Sequence, residues 1–428
     1  MSYFERLRQR ELIDGPICVA VVGSGFVGRG MIRQLTITDG MTPSVVVNRT
    51  TSRAVSSYEA AGWRREEVVV SDDPDTLSAA ISDGLPAVSP SPGVLGELSA
   101  VDVVVEASGA VEYGSVVCLD ALRAGRHVIS MNFESDATVG ALLRRSADEN
   151  GVVYTGSDGD QPGVMSRLVD YVQGIGLTVA AAVNCKGFLD VHATPDTIRE
   201  FAERQKTSLP MTTAFTDGTK MNVENASLAN ATGLVPERRG MHGVQTTLAD
   251  ALDDFSAVLV NEGVVDYTLG GDFRAGVFVI GRSDNAEVQH YLNYLKMGSG
   301  PWHLFFRPWH LVHMETPLSI AKAVLDGQAT IAPRLVPVVD VVTIAKRDLV
   351  AGEPLDGIGG YTTYGQIDTV ENAAGLLPVG LTAHATMVRS VARDRPVTLD
   401  DVELDSEAPL VRLRAEQNTL VRDGDTVA

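Results

Sequence analysis

Along the first third of the chain, short unbroken apolar runs alternate with stretches whose apolar residues recur at helical spacing. The runs are 17–22, 44–48, 102–106, 127–131 and 152–155, rich in Val, Ile and Ala. Continuously apolar strands are buried on both faces, as in a parallel sheet covered by helices. The pattern predicts a doubly wound α/β domain over 1–155. Within it, 1–14 reads as a charged leader helix packing on a neighbouring subunit. The Asp-, Ser-, Pro- and Gly-rich stretch 62–100 reads as loops around a helix at 75–82. From 177 the apolar runs lengthen and the helices separate, which predicts a central α+β domain over 156–330. Its expected elements are helices at 164–173 and 217–231, a hairpin at 264–281 turning at Gly270-Gly271, and a helix from Thr316 to Leu325. After a break at Gly327–Pro333, residues 331–428 read as a β-rich unit with strands near 335–345, 378–388 and 409–420.

The first run ends in Gly23-Ser24-Gly25-Phe26-Val27-Gly28, a Gly-x-Gly-x-x-Gly turn opening a helix. Gly23 permits the tight turn, Gly25 lets a diphosphate approach the backbone, and Gly28 lets helix and strand pack closely. Phe26 and Val27 begin the helix whose free N–H groups and positive dipole end receive the anion. Strand, turn and helix together identify a Rossmann dinucleotide-binding domain. After the second run, Asn48-Arg49-Thr50 and then Arg53 offer guanidiniums and hydroxyls with no carboxylate. A carboxylate there would read the ribose of NAD, whereas Arg accommodates the extra phosphate, so NADP is expected, with NAD the alternative. Ser108, Gly109 and Asn132, at the carboxyl ends of later strands, are expected to line the crevice over the nicotinamide ribose.

Charge narrows the partners. The net charge of −20 excludes a nucleic-acid partner, which needs clustered Lys and Arg. No apolar run reaches membrane-spanning length, and the charged N-terminus is unlike a signal peptide. The three cysteines are isolated and lack metal-ligand spacing, which suits a reducing cytoplasm. The length suggests several domains, and acidic enzymes of this architecture are commonly homodimers or homotetramers.

The densest polar group falls in the central domain: Asn184, Lys186 and His192, then Asp217, Lys220, Asn222, Glu224 and Asn225. On a helix over 217–231, Asp217, Lys220 and Glu224 share one face. A surface Lys–Glu pair is the plain explanation; a reactive site is the sharper one. Asp160 and Gln161 either cap the next helix or face substrate. Arg307 and His310 are expected to reach an anionic or hydroxylated substrate, since His303, His310 and His313 lack zinc spacing.

Several segments then resemble the homoserine dehydrogenase superfamily, and more closely its deoxyxylulose-phosphate-reductoisomerase-like branch with a C-terminal SAF domain. The likeness rests on Gly-Ser-Gly-Phe-Val-Gly, Val-Val-Glu-Ala-Ser-Gly and Gly-Asp-Gln-Pro. It extends to His127–Gly140, Asp217–Lys220 with Asn230–Gly233, and Arg307–Pro317. Lys346–Leu355 with Gly357–Thr362 resembles the SAF signature. The resemblance implies hydride transfer at a small carbonyl or alcohol carbon. Phe133 replaces the Lys that true homoserine dehydrogenases carry after the Asn matching Asn132, so homoserine itself is not expected. Lys220 would then polarise the carbonyl or exchange its proton, with Glu224 holding it and Lys186 the alternative donor. The substrate would be sugar-phosphate- or sugar-acid-like. Reductoisomerisation would need a divalent metal, for which Glu134, Asp136, Asp158, Asp160 and Glu224 are available. Simple oxidation of a polyol or sugar acid is the alternative, and a nucleotide-gated binding protein is the non-enzymatic one.

Overall fold

The computed structural model describes residues 1–273 and 275–424. The chain forms two compact units, one of Met1–Asp160 with Leu311–Leu335, the other of Gln161–His310 with Val336–Ala428. The segment expected as a separate C-terminal domain thus groups with the central one.

The first unit is built on seven strands: β1 (Ile17–Val22), β2 (Met41–Val47), β3 (Val69–Val70), β4 (Ala87–Ser89), β5 (Val103–Glu106), β6 (His127–Ser130) and β7 (Tyr154–Gly156). Their order is β3-β4-β2-β1-β5-β6-β7, and every pairing is parallel. The order reverses on either side of β1, so a crevice opens at the carboxyl ends of β1 and β5. Val19 and Val21 pack against Met31, Ile32 and Leu35 of helix Phe26–Thr36, and Ile320, Ala321 and Ala323 of helix Val312–Asp326 join that core. The sequence missed the short β3 and β4, which lie in the stretch read as loops; its helix there is Pro74–Ser82, capped by Asp73. The leader is helix Tyr3–Asp14, and it makes contacts within its own unit. Tyr3 Oη donates to Asp326 at 2.6 Å, Arg6 donates to the Leu325 carbonyl at 3.1 Å, and a Cβ at Gly40 would strike the Leu7 carbonyl at 2.7 Å.

The second unit contains β8 (Thr178–Lys186), β9 (Val244–Gln245), β10 (Val264–Leu269), β11 (Val277–Arg282) and β12 (Trp302–Arg307). Their order is β12-β11-β8-β10-β9. The expected 264–281 hairpin does not form, because β8 lies between β10 and β11, parallel to the first and antiparallel to the second. Gly270 and Gly271 do bend the chain, at φ +74° and +57°, but around the end of β8: Gly270 N–H donates to the Lys186 carbonyl at 3.1 Å. Two antiparallel pairs follow, β13 (Val339–Ala345) with β14 (Thr363–Thr369) and β15 (Ala385–Met387) with β16 (Val402–Leu404). The strand expected at 409–420 is instead part of helix Pro409–Gly424. Leu410 and Gln417 are its buried positions, a helical spacing, and Pro409 suits a first turn. Among the described residues no helix is long and apolar enough to cross a membrane.

Candidate active site

The crevice of the first unit holds a cavity of about 520 Å³. Its floor is the glycine turn. Gly23 sits at φ +99°, where a Cβ would meet the Ala107 carbonyl at 2.8 Å, and a Cβ on Gly28 would lie 2.1 Å from the Gly23 carbonyl. These two glycines close the turn onto β5 and onto the helix. A Cβ on Gly25, the N-cap of helix Phe26–Thr36, would meet nothing within 4 Å, and the buried Ser24 hydroxyl beside it has no protein partner. An open helix N-terminus with an orphaned hydroxyl is a fitting cradle for a diphosphate.

Gly23, Gly25, Asn48, Arg49, Thr50 and Ser108 line the cavity as expected, and Ser24, Arg53, Pro90, Ala110 and Tyr113 line it too. The lining carries two guanidiniums and no carboxylate. Asn48 shapes the loop by donating to the Thr50 carbonyl at 2.8 Å. Phe26, Val27, Gly28, Gly109 and Asn132 are not in the lining. Asn132 acts from behind: it caps helix Phe133–Glu149 and donates to the Ala110 carbonyl at 3.1 Å. Glu106, fully buried at the end of β5, accepts the Ser108 N–H at 2.8 Å. Burial pushes its carboxyl above the usual range despite hydrogen bonds from Ser108 and Asn132. Pro90 and Tyr113 gave no sequence signal, since only the sheet order brings the Pro90 loop and the helix of Tyr113 to one cavity.

The second unit gathers a different group. Asn184 and Lys186 end β8, and helix Thr219–Thr232 crosses beside them. Glu224, fully buried, accepts from Asn184 Nδ2 at 2.9 Å and Lys186 Nζ at 3.2 Å through one carboxylate oxygen. Lys186 Nζ also lies 5.5 Å from the centre of the Phe215 ring. Burial alone would raise the Glu224 pKa. The Lys186 and Lys220 charges, the Asn184 amide and His310 outweigh it and hold the carboxyl below the usual range. Glu224 thus pairs with Lys186, while Lys220, one turn earlier, acts on it through charge.

Other expected members of this group do different work. Asp217 is not on the helix face but caps the preceding helix Leu209–Thr216; its carboxylate accepts the Thr219 N–H and pairs with Lys346, each at 2.8 Å. Asn222 accepts the Ile367 N–H at 2.9 Å, and Asn225 donates to Met241 Sδ at 3.1 Å. Both amides are buried and stitch backbone or core. Asp160 and Gln161 are buried where helix Gln161–Gly174 begins. Their neighbour Asp158 is held by the Thr330 hydroxyl at 3.0 Å. His192 pairs with Asp394 at 2.7 Å. Arg307, ending β12, lies 5.8 Å from the Trp309 ring. His303 is buried and bonds the Met297 carbonyl at 3.0 Å. Among the described residues no three His, Cys, Asp or Glu side chains gather as a metal site, including the five carboxylates considered above.

Residues 23–155 match the family model of the homoserine dehydrogenase NAD-binding domain, and residues 159–316 that of the oxidoreductase DRL catalytic domain. The chain carries a homoserine dehydrogenase-type NAD-binding domain followed by an oxidoreductase DRL catalytic domain. The whole cavity lining falls in the first match; Lys186, Lys220 and Glu224 fall in the second. A cavity with this lining inside an NAD-binding domain makes the cofactor NAD(P). Neither match reaches residues 317–428, where the SAF likeness rests on the sequence signature alone. Similar solved structures include a probable dehydrogenase from Thermotoga maritima, at 12% identity over 73% of this chain and 90% of that one, with a TM-score of 0.43. Another is a 3-ketoreductase from Actinomadura kijaniata crystallised with NADP, at 16% identity, 73% and 91% coverage and a TM-score of 0.37. A third is biliverdin reductase from Synechocystis, at 12% identity, 73% and 92% coverage and a TM-score of 0.37. Overlaps this loose bear on neither substrate nor mechanism. No curated protein gave a significant match.

Proposed function

We propose that this chain uses NADP(H) to interconvert a small, polyhydroxylated, anionic carbonyl compound and its alcohol. The observation that carries the reading is the buried Glu224 carboxylate with the Lys186 and Lys220 ammonium groups disposed about it. When bound, the cofactor supplies or accepts the hydride. Everything else falls to the chain. An ammonium group, on Lys220 or Lys186, stabilises the developing alkoxide and gives it a proton. Glu224 keeps Lys186 charged and aimed, and Asn184 orients Glu224. Two cations around one carboxylate leave a local positive excess, which suits a carboxylate- or phosphate-bearing substrate. In the cofactor cavity, Ser24 and the open helix N-terminus would hold the diphosphate, with Arg49 and Arg53 on the additional phosphate of NADP.

Reduction without rearrangement is the version we prefer, since it is the chemistry that Lys186, Lys220 and Glu224 can carry by themselves. The test is a pair of variants. Lys220→Ala and Glu224→Gln should each lower turnover by roughly 10²–10⁴-fold while cofactor affinity stays near that of the parent. Turnover at parental rates in both would remove these residues from the chemistry.

A further inference from the structure

Helix Thr219–Thr232 carries polar side chains on more than one face, and those turned from Glu224 bind the C-terminal segment. Thr219 Oγ1 accepts the Gly365 N–H and Asn222 Oδ1 the Ile367 N–H, both at 2.9 Å. Asn230 Oδ1 accepts the Val338 and Val339 N–H groups at 2.9 and 3.1 Å. The helix thus lies between β8 on one side and the β13–β14 hairpin on the other. A Cβ on Gly365 would come within 3.1 Å of the Thr219 methyl and 2.9 Å of Val341, so the glycine is what lets the hairpin close on the helix.

At the helix entry stands a buried ion pair. The Asp217 and Lys346 side chains are 0% and 2% exposed and 2.8 Å apart. Lys346 Nζ also donates to the Gly360 carbonyl at 2.8 Å, and Asp217 Oδ1 takes the Thr219 N–H at 2.8 Å. Gly218, between them, turns the chain at φ +83°. Burying two charges is a poor way to gain stability compared with apolar packing, but an efficient way to select one geometry. Here the geometry selected is the start point of a helix whose second turn carries Glu224. Any slide or rotation of that start moves Glu224 away from Lys186.

We propose that Lys346 is a positioning residue: through Asp217 it fixes the register of helix Thr219–Thr232 and so keeps Glu224 against Lys186. This gives the C-terminal segment, which lies beyond both family matches, a part in the chemistry. The inference rests on reading Lys186, Glu224 and Lys220 as the proton-handling group.

The test measures lysine reactivity and needs no substrate. Lysines of the full-length protein are labelled briefly with acetic anhydride at one pH, and Lys186 labelling is followed by peptide mass spectrometry. In Lys346→Met, Lys186 should label roughly tenfold faster than in the parent, the factor for about 1.4 kcal/mol lost from the paired arrangement. Should that variant fail to fold, Asp217→Asn with Lys346→Met leaves no buried unpaired charge and carries the same expectation. Thermal melting and NADPH-induced stabilisation confirm that the labelled protein is folded. A role confined to stability would leave Lys186 labelling at the parental rate in a folded variant, and that result overturns the proposal. Its failure is separable from failure of the functional reading. Parental turnover in Lys220→Ala and Glu224→Gln removes the chemistry, whereas parental Lys186 labelling removes only the positioning role.

Discussion

Glu224 and Glu106 are both fully buried carboxylates, and their surroundings push them in opposite directions. Glu224 has cations beside it, so its pKa is lower folded than unfolded. Its contribution to stability is complete above the ordinary value of 4.5 and is lost as pH falls through the lowered folded value. Glu224→Gln should therefore flatten the acid side of the melting-temperature profile measured from about pH 7 to about pH 3. An unchanged acid slope would mean the lysines do not hold the carboxylate. Glu106 is the opposite case: burial, the largest effect, outweighs its backbone and amide donors and raises its pKa. The sign reverses: the native state binds the extra proton, so stability falls as pH rises through the window above 4.5. Glu106→Gln retains an acceptor for the Ser108 N–H and should melt higher than the parent at pH 8. The difference should shrink on acidification. At Arg49 the consequence is for binding. Arg49→Ala should weaken NADP roughly tenfold and NAD hardly at all, consistent with one charge-assisted phosphate contact at an exposed side chain. Equal losses for both cofactors would mean that Arg49 does not read the extra phosphate.

At the scale of elements, the turn after β1 depends on a glycine for which no substitute fits. Gly28→Ala places a methyl 2.1 Å from the Gly23 carbonyl, so helix Phe26–Thr36 must shift or the turn must open. A loss of about 1–3 kcal/mol in unfolding free energy is expected, together with loss of cofactor binding. Gly25→Ala, facing open space, should cost little stability and act on binding alone. The spacing of these glycines was fully legible, because a turn pinned to its own strand and helix is a local matter. The polar run from Asp217 to Asn225 was legible only in part. Its composition announced something unusual, but one sequence cannot tell a side chain that meets substrate from one that binds backbone across a packed layer. Asn222 and Asn225 are of the second kind, and Asp217 answers to Lys346, far away in the chain. The 264–281 hairpin failed for a related reason. The diglycine marks a bend, but which strand lies alongside is decided by β8, laid down much earlier.

Across the whole molecule, legibility follows the range of the contacts. The first unit takes its form from strand–helix alternation, and its sheet order follows from right-handed crossovers. The C-terminal segment is held by contacts remote in sequence, such as Asn230 with Val338 and Val339, so its helix Pro409–Gly424 and its grouping with the central segment escaped a reading of periodicity. The cavity lining joins four segments; three were visible as motifs, and the fourth, with Pro90, was not. With the net charge at −20, the guanidiniums of Arg49 and Arg53 stand out as a local reversal of sign at the cavity. In the NADP(H) reading proposed above, this reversal meets the additional phosphate. Isothermal titration of the full-length protein with NADPH and with NADH, in the same low-salt buffer, tests it most directly. Binding of both is expected, with NADPH tighter by at least roughly tenfold and its advantage reduced as salt screens the contact. Equal affinity, or tighter binding of NADH, would contradict it.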